Sequence, residues 1–154
     1  MRLRILVLGI TSVLALTGAA LAHGPATGSV KAAKQKDGAY TTDLRINVND
    51  TPKDVFFKVT NKTGDVQPVV LTDVSTDSDN FKIRWFRNKE DITQEVRGSG
   101  YQFNAPANAG KIFRALVKPT VDDPGNMCLV AKARFSDAVD YYGPVRVNSN
   151  TACV

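Results

Sequence analysis

The sequence contains very little of the chemistry that most enzyme sites need. Its 154 residues include one histidine, His23, and two cysteines, Cys128 and Cys153. Serine and cysteine nucleophiles are normally activated by a nearby histidine. Because no histidine follows His23, the ordinary catalytic triads are excluded, and we expect a protein that is not an enzyme.

Long apolar runs are also scarce, since the only one lies at the N-terminus. A basic start, Met1–Arg4, precedes an apolar run, Ile5–Leu16, and then small residues that end in Ala-Leu-Ala at positions 20–22. The apolar run is shorter than the roughly 20 residues that span a bilayer, and the small residues fit a signal peptidase site. The pattern predicts a signal peptide over residues 1–22, no transmembrane span in the mature chain, and a secreted or periplasmic location.

Neither sign of charge dominates the chain. The sequence has 20 lysines and arginines against 15 aspartates and glutamates, which gives a formal net charge of +5. Loss of the signal peptide removes Arg2 and Arg4 and leaves a net charge of +3. So small an excess gives no reason to expect binding to nucleic acid or to an anionic membrane.

Apolar periodicity is missing from residues 23–38, HGPATGSVKAAKQKDG. Gly, Ala, Lys and Pro dominate this segment, and such compositions bury too little apolar surface to fold. We therefore expect a flexible basic lead-in. Lys31, Lys34 and Lys36 could touch an anionic surface, although a solvated linker is the simpler interpretation.

From Ala39 onwards, short runs rich in Val, Ile, Phe, Thr and Tyr are separated by turn residues, which is typical of strands joined by turns. In most runs every second side chain is apolar, as in Val55, Phe57 and Val59. The predicted strands cover residues 40–48, 54–61, 66–75, 81–86, 101–103, 111–118 and 127–135, with an eighth near 145–147. Seven to eight such strands predict an all-β domain over residues 39–154, built as an antiparallel sandwich, with a β-barrel as the alternative.

Three segments resemble those of bacterial Ig-like modules of secreted and cell-surface proteins. VFFKVTNKTGD, at 55–65, resembles their aromatic-aliphatic strand that ends in an Asn-x-x-Gly turn. FKIRWFRNKEDIT, at 81–93, resembles their strand with an aromatic pair and a polar loop, and NAPANAGKIFRALVKPT, at 104–120, resembles their Pro-containing turn and outward strand. The resemblance covers about residues 53–147. It implies an Ig-like β-sandwich of the cell-adhesion-related repeat type with a non-catalytic role, and it assigns no site residue.

An even number of cysteines in an exported chain predicts a disulfide between Cys128 and Cys153. If the last two strands form a hairpin around residues 136–143, Cys128 falls opposite Thr151, close enough for a bridge. The entropic model assigns roughly 3 kcal/mol to a closed loop of this length.

Adjacent aromatic residues indicate a contact surface. Neighbouring side chains of a strand face opposite ways, so one ring of each pair, Trp85-Phe86 and Tyr141-Tyr142, faces away from the core unless a loop covers it. Exposed aromatic rings favour contacts with partners. We name Tyr141, Tyr142 and Phe86 as the candidate contact surface, with the two tyrosines in a contact loop.

Metal ligands and acidic pairs give two further hypotheses. Cleavage after position 22 would make His23 the N-terminal residue, whose amine and imidazole could bind copper in a small periplasmic copper-handling protein. Pairs of carboxylates could support a hydrolase, although the acidic residues lie in polar stretches typical of solvated surfaces. No motif indicates a cofactor.

The leading prediction is a secreted, non-catalytic Ig-like binding or structural module. It would act by surface contact with a protein or cell-envelope component, and nucleic acid is not expected as a partner. The alternative is the copper-handling protein that uses His23, and the third hypothesis is the carboxylate-dependent hydrolase.

Overall fold

The computed structural model describes residues 26–76 and 78–153, so the predicted signal peptide and His23 lie outside the described residues. The described chain forms β-strands and one short helix. In chain order these are β1 (Gly28–Ala33), β2 (Leu44–Ile46), β3 (Lys53–Asn61), β4 (Gln67–Asp73), β5 (Phe81–Arg87), β6 (Glu90–Asp91), α1 (Thr93–Arg97), β7 (Tyr101–Ala105), β8 (Gly110–Pro119), β9 (Met127–Phe135) and β10 (Asp140–Val147).

The strands form two sheets that pack face to face. Sheet one has the strand order β1-β3-β8-β5-β6, and sheet two has the order β2-β10-β9-β4-β7. Immunoglobulin-type domains place strands A, B, E and D in one sheet and strands C, F and G in the other. In chain order, β1, β3, β4, β5, β8, β9 and β10 occupy those positions A to G. The predicted all-β Ig-like sandwich is therefore confirmed, and the barrel alternative is not adopted.

One strand pair departs from the expected antiparallel arrangement. β2 runs parallel to β10, with Leu44 opposite Val145 and Ile46 opposite Val147. It pairs only with the part of β10 that follows Pro144, whose ring nitrogen cannot donate a hydrogen bond to a neighbouring strand. The predicted strand 40–48 is accordingly reduced to three residues.

The core lies between the inner faces of the two sheets, as the alternation predicts. Phe57 in β3 and Phe113 in β8 are fully buried, and the Trp85 ring lies 5.1 Å from the Phe57 ring. In β9, every second side chain from Met127 to Phe135 is buried. Each of the larger buried side chains, such as Leu129 or Phe135, contributes roughly 1.5–3 kcal/mol relative to exposure. The predicted phases of these strands are confirmed.

The predicted flexible lead-in, 23–38, is wrong over part of its length. Residues 28–33 form β1, which pairs antiparallel with β3 along its whole length. Val30 is only 3% exposed and Ala32 is fully buried. A single valine among alanines and a glycine gives no recognisable apolar period in the sequence. Small side chains are nevertheless large enough to fill the core where one strand lies close against another. Sheet one therefore includes residues 28–33, which precede the predicted domain start at residue 39.

Close packing of β1 against β10 depends on Gly143. A Cβ atom at this position would lie 2.5 Å from Cγ1 of Val30 and 3.4 Å from Cδ1 of Phe57. Cβ atoms do not approach other carbons as closely as 2.5 Å, so glycine is the residue that lets β10 pass here. The residue that follows the two tyrosines thus positions the strand that carries them.

The register predicted for the last hairpin is wrong. The β9–β10 turn spans only residues 136–139, and Ala138 adopts a φ of 61° within it. Cys128 consequently lies opposite Arg146 and not opposite Thr151. A stretch that contains two tyrosines, a glycine and a proline looks like a loop in sequence, but the tyrosines and the glycine pair regularly with β9.

The disulfide between Cys128 and Cys153 is nevertheless confirmed. After Val147 the chain reverses at Asn148, which has a φ of 56°. The tail then returns alongside β10, and the Cα atoms of the two cysteines lie 5.6 Å apart. The bridge joins the tail to the start of β9 within one sheet, unlike the bridge between facing sheets in antibody domains.

Candidate contact surface on sheet two

Tyr142 projects from the outer face of sheet two. Its side chain is 54% exposed, more than that of any other aromatic residue in the described part of the chain. It lies in β10 and not in the predicted contact loop, because the hairpin turn already ends at Val139. A strand holds an aromatic ring in a more fixed position than a loop does.

Tyr141 faces the opposite way and supports the fold. Its ring packs edge-on against Phe135 with the centroids 5.4 Å apart. The Thr27 backbone N–H donates a hydrogen bond to the Tyr141 hydroxyl at 2.9 Å, and the Thr27 hydroxyl donates one to Asp137 at 2.7 Å. Tyr141 therefore ties the chain just before β1 to the β9–β10 hairpin.

Phe86 lies on the other sheet, on the outer face of β5, and is 8% exposed. Two guanidinium groups cover its ring: the Cζ atom of Arg114 lies 4.2 Å from the ring centroid, and that of Arg84 lies 5.0 Å away. The structure therefore does not bring Phe86 together with the two tyrosines.

Charged side chains surround Tyr142 in an ordered pattern. Tyr142 lies directly opposite Lys132 on β9, and Lys132 in turn lies opposite Thr72 on β4. In the next row, Arg134 donates two hydrogen bonds to the Asp140 carboxylate, at 2.7 Å and 2.8 Å. A bidentate pair of this kind fixes both side chains in one plane.

Electrostatics keep this carboxylate charged. The hydrogen bonds from Arg134, together with the nearby positive charges of Arg134 and Lys132, hold the pKa of Asp140 below its ordinary value of 3.8. The Nζ atom of Lys132 lies 4.0 Å from the same carboxylate. At neutral pH the surface beside Tyr142 therefore presents a cluster of two cations that share one anion.

A shallow groove continues the surface beyond Arg134. It crosses β4, β7 and β9, and polar and apolar side chains both line its outward face. The lining side chains on this face are Pro68, Val70, Gln102, Asn104, Arg134 and Ser136. Where β10 borders the edge of sheet two, Pro144 offers no N–H to a strand that a partner might add. A partner is therefore better suited to contact this face through side chains than to extend the sheet.

Of the acidic residues of the hydrolase hypothesis, Asp91 is held in an ion pair with Arg84 at 2.5 Å. Hydrogen bonds from Thr93 and from Arg84 lower the pKa of Asp91 to about 2. Asp73, whose side chain is 3% exposed, accepts a hydrogen bond from the Trp85 indole at 2.9 Å. The general acid of a glycosidase needs a carboxyl group with a raised pKa, whereas the pKa of Asp91 is lowered. Within residues 26–76 and 78–153 there is no group of three or more potential metal ligands.

The sequence did not reveal Lys132, Arg134 and Asp140 as neighbours of Tyr142. Their proximity depends on the hairpin register, and the predicted register placed other residues opposite β9. The sequence signal for the correct turn was Ser136-Asp137-Ala138-Val139. In such a segment the aspartate side chain can accept a hydrogen bond from the backbone N–H two residues later. Asp137 does so, accepting from the Val139 N–H at 3.0 Å.

Comparisons with known proteins give similarity of shape alone. No protein-family model matches the sequence, and no curated protein matches it. A FixG-related protein from Vibrio parahaemolyticus is similar in structure with a TM-score of 0.49 and 8% identity, over 80% of this chain and 96% of that one. A family 123 glycoside hydrolase from Clostridium perfringens is similar with a TM-score of 0.48 and 13% identity, over 79% of this chain and 27% of that one. The ASH/PapD-like domain of human CEP192 is similar with a TM-score of 0.44 and 7% identity, over 96% of this chain and 93% of that one.

No helix in the described part of the chain is long and apolar enough to cross a membrane.

Proposed function

We propose that this protein is a secreted, non-catalytic Ig-like binding module. It contacts a protein or cell-envelope partner through the outer face of sheet two, which is centred on Tyr142 and bordered by Lys132, Arg134 and Asp140. The observation that carries the proposal is the 54% exposure of Tyr142 in the middle of a regular strand.

The geometry around Tyr142 favours recognition. Tyrosine is enriched in binding hot spots because it offers a large rigid surface and a polar hydroxyl. The Arg134–Asp140 pair and Lys132 provide oriented charges beside the ring, and charges of both signs give specificity of orientation. Gly143 and the Tyr141–Thr27 hydrogen bonds hold β10 in place, so little order has to be created on binding.

Site-specific photocrosslinking tests this surface. A photoreactive phenylalanine derivative replaces Tyr142 in one variant and Val66 in a matched control, because Val66 is 61% exposed but lies in the turn before β4. In cells that export the protein, we expect a discrete crosslinked product from position 142 and none from position 66. Identical products from both positions, or no product from position 142, would contradict the proposal.

Export has a separate test. The signal peptide prediction implies that protein recovered from outside the cytoplasm has an intact mass that begins at His23. Titration of this mature form with copper then addresses the copper hypothesis, since its proposed ligand His23 would be the N-terminal residue. Tight stoichiometric binding that is lost in His23→Ala would favour copper handling over a contact role.

A further inference from the structure

The outer face of sheet one is predominantly basic. Side chains at every second position of β1, β3, β8 and β5 point away from the core. We call this surface the basic face. Its charged side chains are the cations Lys31, Lys58, Lys82, Arg84, Arg114 and Lys118, and the carboxylates Asp54 and Asp91 at its border.

Two pairs of lysines on the basic face lie directly opposite each other. Lys31 on β1 faces Lys58 on β3, and Lys82 on β5 faces Lys118 on β8. Like charges in directly opposed positions of an antiparallel pair are destabilising. In residues 26–76 and 78–153, none of these four lysines forms an ion pair with a carboxylate, although Lys58 lies 5.8 Å from the Tyr40 ring. The fold thus retains two pairs of lysines whose mutual repulsion could be reduced by negative charges on a partner.

The centre of the basic face is ordered by its arginines. Arg114 contacts Asp54 at 3.1 Å and Arg84 contacts Asp91 at 2.5 Å, while both guanidinium groups lie over the Phe86 ring. Half-buried apolar side chains continue this centre, namely Phe56, Ile112 and Leu116. The middle of the basic face therefore consists of two arginines, two phenylalanine rings and two aliphatic side chains.

The two lysine pairs lie at opposite corners of this middle. Lys58 faces Ile112 on β8, and Lys118 lies six residues further along the same strand. At roughly 3.4 Å per residue, the pairs are separated by about 20 Å along the strand direction. A partner that neutralises both pairs must therefore carry two groups of negative charge at a comparable spacing.

We infer that the basic face is a second docking surface, and that its partner is the acidic surface of another protein. A middle of Arg, Phe and aliphatic side chains with lysines around it matches the apolar centre and polar rim of protein interfaces. Paired lysines at two corners suit a partner whose carboxylates occur in patches. The inference is independent of Tyr142, which lies on the opposite sheet.

The test uses the mature protein and a short poly-L-glutamate peptide as an acidic polypeptide probe. We expect binding that weakens as salt is added, with backbone amide shifts in NMR spectra confined to β1, β3, β5 and β8. Shifts confined to sheet two, or no binding at low salt, would overturn the inference. Tighter binding to phosphatidylserine vesicles or to single-stranded DNA than to the peptide would also overturn it.

Charge-reversal variants locate the site. In Lys31→Glu/Lys82→Glu each substitution converts a like-charge pair into an opposite-charge pair, so folding is not compromised. We expect the dissociation constant for the peptide to rise at least tenfold while the melting temperature stays the same or rises. The control Lys62→Glu/Lys89→Glu changes the net charge equally at exposed turns, and it should retain most of the binding. Equal losses in both double variants would show a response to net charge alone and would overturn the inference.

Discussion

The two outer faces of the sandwich handle positive charge in different ways. On sheet two, Arg134 and Lys132 share the Asp140 carboxylate beside the exposed Tyr142 ring. On sheet one, Lys31 faces Lys58 and Lys82 faces Lys118, with no carboxylate between them. The difference shows that the small net charge of the chain conceals an unequal distribution. Cations that share a carboxylate favour recognition by shape and orientation, whereas cations with no carboxylate beside them favour recognition by complementary charge.

The largest expected effect concerns sheet two alone. Replacing both cysteines, in Cys128→Ser/Cys153→Ser, should lower the free energy of unfolding by about 2–4 kcal/mol. The lower end is expected because the bridged tail contributes little to the core. Urea unfolding of the variant and of the oxidised parent measures the difference. Equal transition midpoints would mean that the bridge does not stabilise the fold, and poly-L-glutamate binding at sheet one should be unchanged.

The next effect concerns the contact between the two sheets. Asp73→Ala leaves the Trp85 indole N–H, now hydrogen-bonded at 2.9 Å, without its acceptor. An unsatisfied buried donor costs about 1–3 kcal/mol. Thermal unfolding followed by fluorescence reports directly on this site, because Trp85 is the single tryptophan of the chain. Asp79→Ala, at an exposed position nearby, serves as the control and should leave both the midpoint and the emission unchanged.

A smaller effect of opposite sign is expected on the basic face. Lys82→Glu places a carboxylate opposite Lys118, so the free energy of unfolding should increase by roughly 0.2–1 kcal/mol. Lys89→Glu makes the same change of charge in the turn between β5 and β6 and should give no comparable gain. A gain of similar size in both variants would attribute it to net charge and would weaken the contrast between the faces.

The smallest effect appears in acid. Because the pKa of Asp140 is lowered in the folded state, its contribution to stability is complete above the ordinary value of 3.8 and is lost as the pH falls through the lower folded pKa. Asp140→Asn should therefore flatten the dependence of the melting temperature on pH below about pH 4. Carboxyl-carbon NMR titration should give a midpoint below 3.8 for Asp140 and of about 2 for Asp91. An Asp140 midpoint at or above 3.8 would contradict the ion pair.

Most of the fold could be predicted because its strands follow the simplest rule of sheet structure. Val55, Phe57 and Val59 alternate with outward-facing residues, and the period of two is visible without any tertiary information. β1 could not be predicted in this way, because Val30 and Ala32 are small and their burial depends on β10. Its position becomes clear only when Gly143 brings the two strands together.

The site was harder to predict than the fold because it depends on register. A turn that is four residues shorter than expected changes which residue faces Tyr142, and every cross-strand partner changes with it. The basic face was missed for a related reason. Lys31 and Lys58 are distant in sequence, and only their pairing places two like charges on one surface. Phe86 looked exposed in sequence because it faces outward, but Arg84 and Arg114 cover its ring.

The positions at which the chain enters and leaves the sandwich determine how the domain would carry mechanical load. Thr27 is held beside the β9–β10 turn, whereas Cys153 is bonded to Cys128 at the far end of β9. Tension between these two ends would act along the strands and load the hydrogen bonds between β1 and β3 in shear. Single-molecule pulling should show a lower rupture force once the disulfide is reduced. With the bond intact, force from the tail enters β9, the central strand of sheet two. Once the bond is reduced, the same force enters β10 alone at Val147 and is borne by the hydrogen bonds of that strand.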